Sequence, residues 1–258
     1  MVVSVEISGV LERRLRKLVE LGLYGSVSEV VRDALRRYFE SLDLKRVALD
    51  LYLSREVSLG YAADVAGVSY DEFLDNLVYR GVQPLLGVLD SGEVAAVGGE
   101  LLLDPSSVYV IYKSRLVDLI ASAGGHDVKM LAPRQLAPRI QALNALRVRV
   151  GLPAVLVSGY VDLEVDESED FGAVTPLEKA CIDYAARERL PLISDDLRVR
   201  AEARRRGARA HSSLSILETL IEKGSLSDAR ILRETILSLK AVPVLVPAEL
   251  EERWLARK

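Results

Sequence analysis

Four acidic residues lie where a parallel sheet would bring them together. Asp195 and Asp196 follow the buried strand predicted by LPLIS, Asp104 follows the apolar run GELLL, and Glu178 lies at the start of a helix. Ligands of parallel sheets bind at the carboxyl ends of the strands. Carboxylates gathered there repel one another unless a divalent cation or protons neutralise them. The pattern predicts a Mg²⁺ or Mn²⁺ site that could activate water against a phosphodiester. Taken singly, each acid is as well explained as a solvated strand end.

Alternating helices and strands must position these acids. Between residues 175 and 224 the hydrophobic period changes from helix to strand and back, with LPLIS and ARAHS as the two strands. Helices closed by Gly207 and Gly224 follow them. Further upstream, DVKMLAP and VLVSGYVDLEV read as strands, and Ser106 or Ser107 is expected to cap the helix after Asp104. Such alternation predicts an α/β fold with a parallel sheet flanked by helices.

These segments resemble the PIN-domain family of Mg²⁺-dependent nucleases, best known as toxins of toxin–antitoxin pairs. The resemblance covers roughly residues 99–240 and rests on LLLDPSS, EKACIDYA, ISDDLRVRAEARRRGAR and SILETLIEKGSLS. It implies an endoribonuclease in which a metal-bound water is the nucleophile. Asp104, Glu178 and Asp196 would be catalytic, and the same three residues together with Asp195 would bind the metal.

One acid of the family pattern is missing. The family commonly carries P-x-x-V-x-x-E, and the matching stretch APRQLAPRIQAL has Arg139 where glutamate is expected. A cation cannot ligate a metal. Three explanations stay open: Asp127 or Glu164 folds into the gap, the site holds metal weakly, or the nuclease is degenerate.

Arginines are concentrated just after the acids, between residues 198 and 209. Beside a metal site they could bind RNA phosphate. Ser106, Arg198 and Arg205 are therefore candidates for contact with nucleic acid. Because Arg198 and Glu202 are spaced four residues apart, a solvated, salt-bridged helix face explains most of these arginines equally simply.

The first 45 residues form one strand and two amphipathic helices. VVSVEI alternates as a strand, and Ser26 or Ser28 is expected to cap the second helix. So small a unit cannot enclose a core, so a homodimer is implied. SVSEVVRDALRRYF resembles the ribbon-helix-helix repressors and antitoxins, which implies that Ser4 faces DNA and that the serine at the second helix binds phosphate. The outward Glu6 favours dimerisation over base reading.

Residues 46–90 read as short helices joined by a tight turn. EVSLGYAADVAGVSYDEFLDNLVYRGV resembles the small helix-turn-helix antitoxin-type family often found beside PIN toxins. Residues 1–90 hold 11 lysines and arginines against 14 aspartates and glutamates, so neither N-terminal unit has a strongly basic footprint. Contact with protein is at least as well supported as contact with operator DNA. Residues 84–98 read as a linker into the last domain, with the alternative that its LLGVL run packs on another part of the chain.

Composition bounds the alternatives. The chain has 258 residues, of which 50% are hydrophobic, and a net charge of −4. One cysteine excludes a disulfide framework and two histidines exclude a zinc cluster, so Cys181 is expected to be a core residue. With no predicted signal or membrane-spanning segment, a cytoplasmic location is expected.

Together the patterns predict three units: a ribbon-helix-helix unit at 1–45, a helix-turn-helix unit at 46–90 and a PIN-like nuclease domain at 91–258. The first hypothesis is a fused antitoxin–toxin-like protein, with a Mg²⁺-dependent endoribonuclease that is inhibited in cis or degenerate. The alternative is a non-catalytic, dimeric DNA-binding regulator or scaffold that retains only the PIN-like fold. In either case a homodimer or higher homo-oligomer is expected.

Overall fold

A five-stranded parallel sheet forms the centre of the molecule. The computed structural model describes residues 6–123, 128–155, 157–166, 172–226 and 228–256. The strands are β1 (Gly99–Leu103), β2 (Val128–Pro133), β3 (Gly159–Val161), β4 (Leu192–Ile193) and β5 (Ala210–His211). Their order across the sheet is β3-β2-β1-β4-β5, and every neighbouring pair is parallel. The predicted α/β class and the parallel sheet are confirmed.

The N-terminal part of the chain is helical. Residues 6–98 contain α1 (Gly9–Glu20), α2 (Val27–Ser41), α3 (Leu44–Leu53), α4 (Leu59–Ala66) and α5 (Tyr70–Tyr79). Ser58 caps α4 and Ser69 caps α5, each by accepting a backbone N–H with its hydroxyl. Gly67, with φ of 66°, ends α4 in the left-handed conformation that glycine adopts without strain. The predicted helix–turn–helix succession is therefore present at the level of secondary structure.

Eight further α-helices in the described residues accompany the sheet. They are α6 (Pro105–Lys113), α7 (Leu116–Ser122), α8 (Ala137–Arg149), α9 (Pro176–Glu188), α10 (Leu197–Arg205), α11 (Leu214–Glu222), α12 (Ala229–Ala241) and α13 (Ala248–Ala256). The single helix expected after Asp104 is instead two, because the chain bends at Ser114, whose backbone is extended.

Alternation along β1 divides the core into two layers. Leu102 packs with Cys181 and Ile182 of α9 and with Val199 of α10. Leu101 and Leu103 face the opposite side, which α6, α8, α11 and α12 cover. Since both faces are covered, the strand is apolar without interruption, as buried parallel strands are. Cys181 is fully buried, as expected of a core residue.

Helices α3 to α5, with the turn that follows them, are called the cap here and comprise residues 44–83. The cap shares the larger core: Tyr52, Leu59 and Leu77 are each no more than 1% exposed. The segment after it, predicted as a linker, packs on the core through its LLGVL run, as the alternative expected. Leu86 and Val88 are buried, and backbone hydrogen bonds join this segment to Asp195 and Leu245. The cap and the sheet therefore share one hydrophobic core.

The ends of the chain differ from each other. Helices α1 and α2 contact one another, but only Leu15 and Val30 among their described hydrophobic side chains are buried. The expected N-terminal strand falls largely on residues 1–5, outside the described residues, as does Ser4. At the other end Trp254 is fully buried, and Leu245 forms an isolated bridge with Gly87. Among the described helices, none has the length and apolar character needed to cross a membrane.

Candidate functional site

All four predicted acids lie at the carboxyl edge of the sheet. Asp104 follows β1, Asp195 and Asp196 follow β4, and Glu178 lies in the first turn of α9. None of the four residues is more than 2% exposed. The charge of Asp104 acts on the other three acids, and that of Asp196 acts on Glu178. The sequence prediction that these carboxyl groups gather at one edge is supported by their position.

Asp104 has a structural role as well as a place in the cluster. It caps α6 by accepting the backbone N–H of Ser107, and the Ser107 hydroxyl in turn accepts the backbone N–H of Asp104. The helix cap is thus Asp104 itself, and not Ser106 or Ser107. The Ser106 hydroxyl donates to Asp104 Oδ1 at 2.7 Å and accepts the backbone N–H of Asp195 at 2.9 Å. Because Ser106 is fully buried, it does not face nucleic acid in this arrangement.

The two consecutive aspartates face different partners. Asp195 Oδ1 accepts both the backbone N–H and the hydroxyl of Ser213, each at 3.0 Å. Asp196 caps α10, because its Oδ1 accepts the N–H of Arg198 at 2.8 Å and that of Val199 at 3.2 Å. Its other oxygen, Oδ2, accepts the N–H of Leu59 from the cap at 2.7 Å.

Glu178 is also held by the cap. Its Oε2 accepts the Ser58 hydroxyl at 2.6 Å and the Thr175 N–H at 2.8 Å. The second of these contacts completes a capping box with Thr175 at the start of α9. Gly60 lies so close that a Cβ added there would stand 2.7 Å from Glu178 Oε1. The first turn of α4 is therefore packed directly onto the carboxylates.

This contact places the positive end of a helix against negative charge. Unsatisfied N–H groups at a helix N-terminus favour a neighbouring anion. Here the Leu59 N–H donates to Asp196. The Ser58 hydroxyl donates to Glu178 and also accepts the N–H of Tyr61 at 3.1 Å, which caps α4. The cap thus supplies hydrogen-bond donors where a free acidic site would meet water or a cation.

Burial shifts the acidity of the whole cluster. Loss of hydration raises the pKa of Asp104, Glu178 and Asp196, and the pKa of Asp195 to about 6, because the charged carboxylate is disfavoured away from water. The negative charge of Asp196 raises the pKa of Glu178 further. Burial under the cap therefore favours the protonated form of these carboxyl groups.

The covered site does not match the predicted metal centre. Across the part of the chain that the structure describes, no group of three or more His, Cys, Asp or Glu side chains is arranged to hold a metal ion. Glu178 Oε1 and Asp195 Oδ2 are buried without a hydrogen-bond partner, whereas Oε2 of Glu178 and both oxygens of Asp196 already accept donors. With the cap in place, protein donors therefore engage Asp196 at both oxygens and Glu178 at one.

Arg139 stands where the family pattern has glutamate, and it contacts the cap. Its guanidinium lies 4.8 Å from the ring centre of Tyr70 and 3.4 Å from Asp71 Oδ2. Lys113 also reaches Asp71, at 3.4 Å, and lies 5.0 Å from the ring centre of Tyr109. Cation–π contacts of this kind contribute roughly 0.5–2 kcal/mol. Arg139 therefore joins α8 to the first turn of α5 and helps to hold the cap down.

Tyr70 fills space beside the acids. Its hydroxyl is buried without a hydrogen-bond partner, and its ring packs 5.5 Å from that of Tyr109. Burial raises its pKa, and the charges of Asp196 and Asp104 add to the effect, so the hydroxyl stays protonated near the cluster. The cap thus covers the acidic edge with Ser58, Leu59, Gly60 and Tyr70.

The other predicted site residues either do not belong to the acid cluster or lie outside the described residues. Arg205 is paired with Glu202 at 2.6 Å, as the salt-bridged alternative expected, and Ser26 accepts the N–H of Glu29 at the start of α2. Ser28 lies inside α2, and Arg198 faces a cavity described below. Of the two replacement acids, Glu164 is exposed and Asp127 lies outside the described residues.

Sequence reasoning missed the cap residues at the acids. Nothing in the sequence around Ser58 indicated that the helix it starts would point at Glu178 and Asp196. The one available signal was the run of small residues in SLGYAA, since a glycine in a helix allows close approach of another group.

Searches of protein-family models, of curated proteins and of solved structures found no match to this chain.

Proposed function

We propose that this chain is a PIN-like, Mg²⁺- or Mn²⁺-dependent endoribonuclease that acts on RNA and is covered in cis by an antitoxin-like cap. One observation carries the proposal: Asp104, Glu178 and Asp196 meet at the carboxyl edge of a parallel sheet, where ligands of such sheets bind. A cluster of carboxyl groups at such an edge is typical of a site that works with a hard cation. Asp195 is their fourth member.

The cap supports inhibition within one chain. Its donors occupy Glu178 and Asp196, and it is held by Arg139, which replaces the expected acid. Covalent linkage keeps such an inhibitor at a high effective concentration. Because the cap also shares the hydrophobic core of the sheet, uncovering the acids would require α4 to detach from that core. The cap and a cation would then compete for Oε2 of Glu178 and Oδ2 of Asp196.

The N-terminal helices are proposed to form a ribbon-helix-helix-like homodimer. Six large hydrophobic residues of this part are at least 48% exposed, which a single copy leaves uncovered: Val10, Leu11, Leu21, Leu23, Leu35 and Tyr38. Such a dimer could bind operator DNA with Ser4 and with Ser26 at the start of α2. A cytoplasmic location fits this role.

A second candidate is a non-catalytic regulator or scaffold that keeps the PIN-like fold. The observation that favours it is Arg139, whose contacts to Tyr70 and Asp71 are those of a structural residue. In this case the cap would be a permanent part of the core, and the acids would stay protonated.

The deciding experiment loosens the cap with residues outside the acid cluster. The double variant Ser58→Ala, Arg139→Ala removes the bond to Glu178 and the contact to Tyr70. A matched control is Ser69→Ala, Arg134→Ala, since Ser69 caps α5 and Arg134 pairs with the exposed Asp162. Mn²⁺ binding by calorimetry, cleavage of single-stranded RNA and hydrogen exchange of the Leu59 amide are measured on each protein.

The nuclease proposal expects the loosened variant to exchange the Leu59 amide faster, to bind Mn²⁺ and to cleave RNA, with Asp104→Asn abolishing cleavage in that background. The control should behave like the unchanged chain. Faster exchange of the Leu59 amide with neither cation binding nor cleavage would reject the nuclease and leave the scaffold.

A further inference from the structure

A separate cavity of about 270 Å³ lies between the cap and α10. Its cap side is formed by Tyr52 and Arg55 at the end of α3, and its other side by Arg198 and Arg204 of α10, with Leu85 between them. Small-molecule sites in proteins have volumes from about 300 Å³ upward. The cavity is thus close to the size of a small ligand, and its walls come from two units of the chain.

Two of the arginines that line this cavity are not part of an ion pair among the described residues. Among the residues that the structure describes, neither Arg55 nor Arg198 has an acidic partner, and Arg198 Nε is buried without any hydrogen-bond partner. Elsewhere on α10 the arginines are paired: Arg205 and Arg206 bind Glu202, and Arg204 binds Glu93 at 3.1 Å. A buried donor without a partner calls for a ligand or water.

The two acids that also line the cavity are already satisfied. Glu93 accepts Arg204 and lies 3.7 Å from the buried Arg200. Asp196 accepts three backbone N–H groups, those of Leu59, Arg198 and Val199. Glu93 is thus paired with Arg204 and the Asp196 oxygens already accept donors, so the guanidinium groups of Arg55 and Arg198 remain available. Two guanidinium groups match a dianion, and their forked donors suit phosphate oxygens.

Arg55 occupies an unusual backbone position for its side chain. It ends α3 with φ of 62°, in the left-handed region that glycine favours after a helix. Any residue with a Cβ is disfavoured there by about 1 kcal/mol. The Arg55 side chain lines the cavity together with that of Arg198.

The rest of the lining is apolar. Tyr52 accepts the Leu85 N–H at 2.7 Å, so its ring stays fixed as part of the wall, and Val57, Leu89 and Ala201 complete it. Aromatic and aliphatic walls with a few charged groups are typical of sites for small organic anions.

We propose that this cavity binds a phosphate monoester, with Arg55 and Arg198 contacting the phosphate. Inorganic phosphate and mononucleotides share this chemistry. The site adjoins the acid cluster, because Asp196 belongs to both, but phosphate binding there does not depend on nuclease activity. Because Arg55 belongs to the cap and Arg198 to α10, the ligand bridges the two units and holds the cap closed.

The test is binding of inorganic phosphate and of AMP to the full chain by calorimetry, at constant ionic strength. We compare the unchanged chain with Arg55→Ala, Arg198→Ala and the control Arg205→Ala, which removes an arginine of the same helix that pairs with Glu202 outside the cavity. The proposal expects saturable binding that weakens at least tenfold in the first two variants and less than twofold in the control. Thermal unfolding should shift upward with ligand in the unchanged chain and the control alone.

Two results identify the ligand source. AMP binding tighter than phosphate means that the apolar wall receives the nucleoside, and equal affinities mean that the phosphate group alone is recognised. Either supports the site. The proposal is overturned by the absence of saturable binding for both probes, or by equal losses in Arg205→Ala and Arg198→Ala, which would indicate general charge attraction.

Discussion

The cap and the N-terminal helix pair are two helical regions of similar size with opposite surroundings. In the cap, Tyr52, Phe73, Leu74 and Leu77 are buried in the core of the sheet domain. In α1 and α2, leucines at the same kind of helical spacing remain exposed, Leu35 to 48% and Leu11 to 56%. Both regions resemble small DNA-binding modules by sequence, but only the cap finds its hydrophobic partner within the chain.

The difference teaches where each region gains its stability. Burial of apolar side chains contributes about 25 cal/mol per Å² removed from water. The cap obtains this contribution by covering the sheet and the acids, so its fold is tied to a closed site. The helix pair has no such surface in its own chain, and a second copy would supply it.

The largest expected effect compares one leucine in each region. Leu77→Ala in the cap should lower the free energy of unfolding by about 2–5 kcal/mol, because it leaves a cavity in the core. Leu35→Ala in α2 should lower it by less than about 1 kcal/mol at concentrations where the chain is monomeric. Urea unfolding of both variants measures this. Equal losses would show that the helix pair is packed in solution as firmly as the cap.

The next effect is on pH, and it tests the closed acid cluster. Because burial raises the pKa of its carboxyl groups in the folded chain, the folded state holds more protons than the unfolded state above about pH 4. The free energy of unfolding should therefore be highest near that pH and fall as the pH rises, by about 1.4 kcal/mol per pH unit for each proton concerned. Unfolding at pH 5 and pH 8 measures the fall.

Glu178→Gln is the control for this dependence. The amide cannot ionise, so the variant should lose less stability between the two pH values than the unchanged chain. A pH dependence that is the same in both proteins would show that Glu178 is ionised under the cap at neutral pH.

The position of the acids at the sheet edge can be predicted from the sequence, whereas the contact of the cap with these acids cannot. Strand ends were identified by apolar runs that stop at Asp104 and Asp195, which depends on local pattern alone. The contact between Ser58 and Glu178 joins residues 120 positions apart, and no local period encodes such a distance. From the sequence, Arg139 could be interpreted only as the replacement of an expected acid, because its stacking on Tyr70 is a tertiary contact.

The partner of the predicted linker could not be identified from sequence for the same reason. PLLGVLDSG has the small and turn-forming residues of an exposed connection, yet Leu86 is fully buried and its carbonyl accepts the N–H of Leu245 at 2.7 Å. Composition indicated flexibility, and partners more than 100 positions away along the chain determined the outcome.

A smaller effect separates two serines of the cap. Ser58→Ala removes a helix cap, worth about 1 kcal/mol, and also one donor to the buried Glu178, worth about 1–3 kcal/mol. Ser69→Ala removes a cap of the same geometry but no contact to an acid. Ser58→Ala should therefore be the more destabilising of the two in thermal unfolding. Equal shifts would mean that the hydroxyl contact to Glu178 does not contribute.

The smallest effect on chain stability, and the sharpest on assembly, concerns the exposed helix pair. Leu23→Glu should change the free energy of unfolding of the monomer by less than about 0.5 kcal/mol, because this side chain is already 64% exposed. If a second copy covers this face, the charge must be buried without a partner on association, and dimerisation should weaken strongly. Val148→Glu, on the exposed side of α8 at 58%, is the matched control. Light scattering over a range of concentrations should then give dimers for the unchanged chain and for Val148→Glu but monomers for Leu23→Glu; monomers for all three would show that the helix pair does not associate through this face.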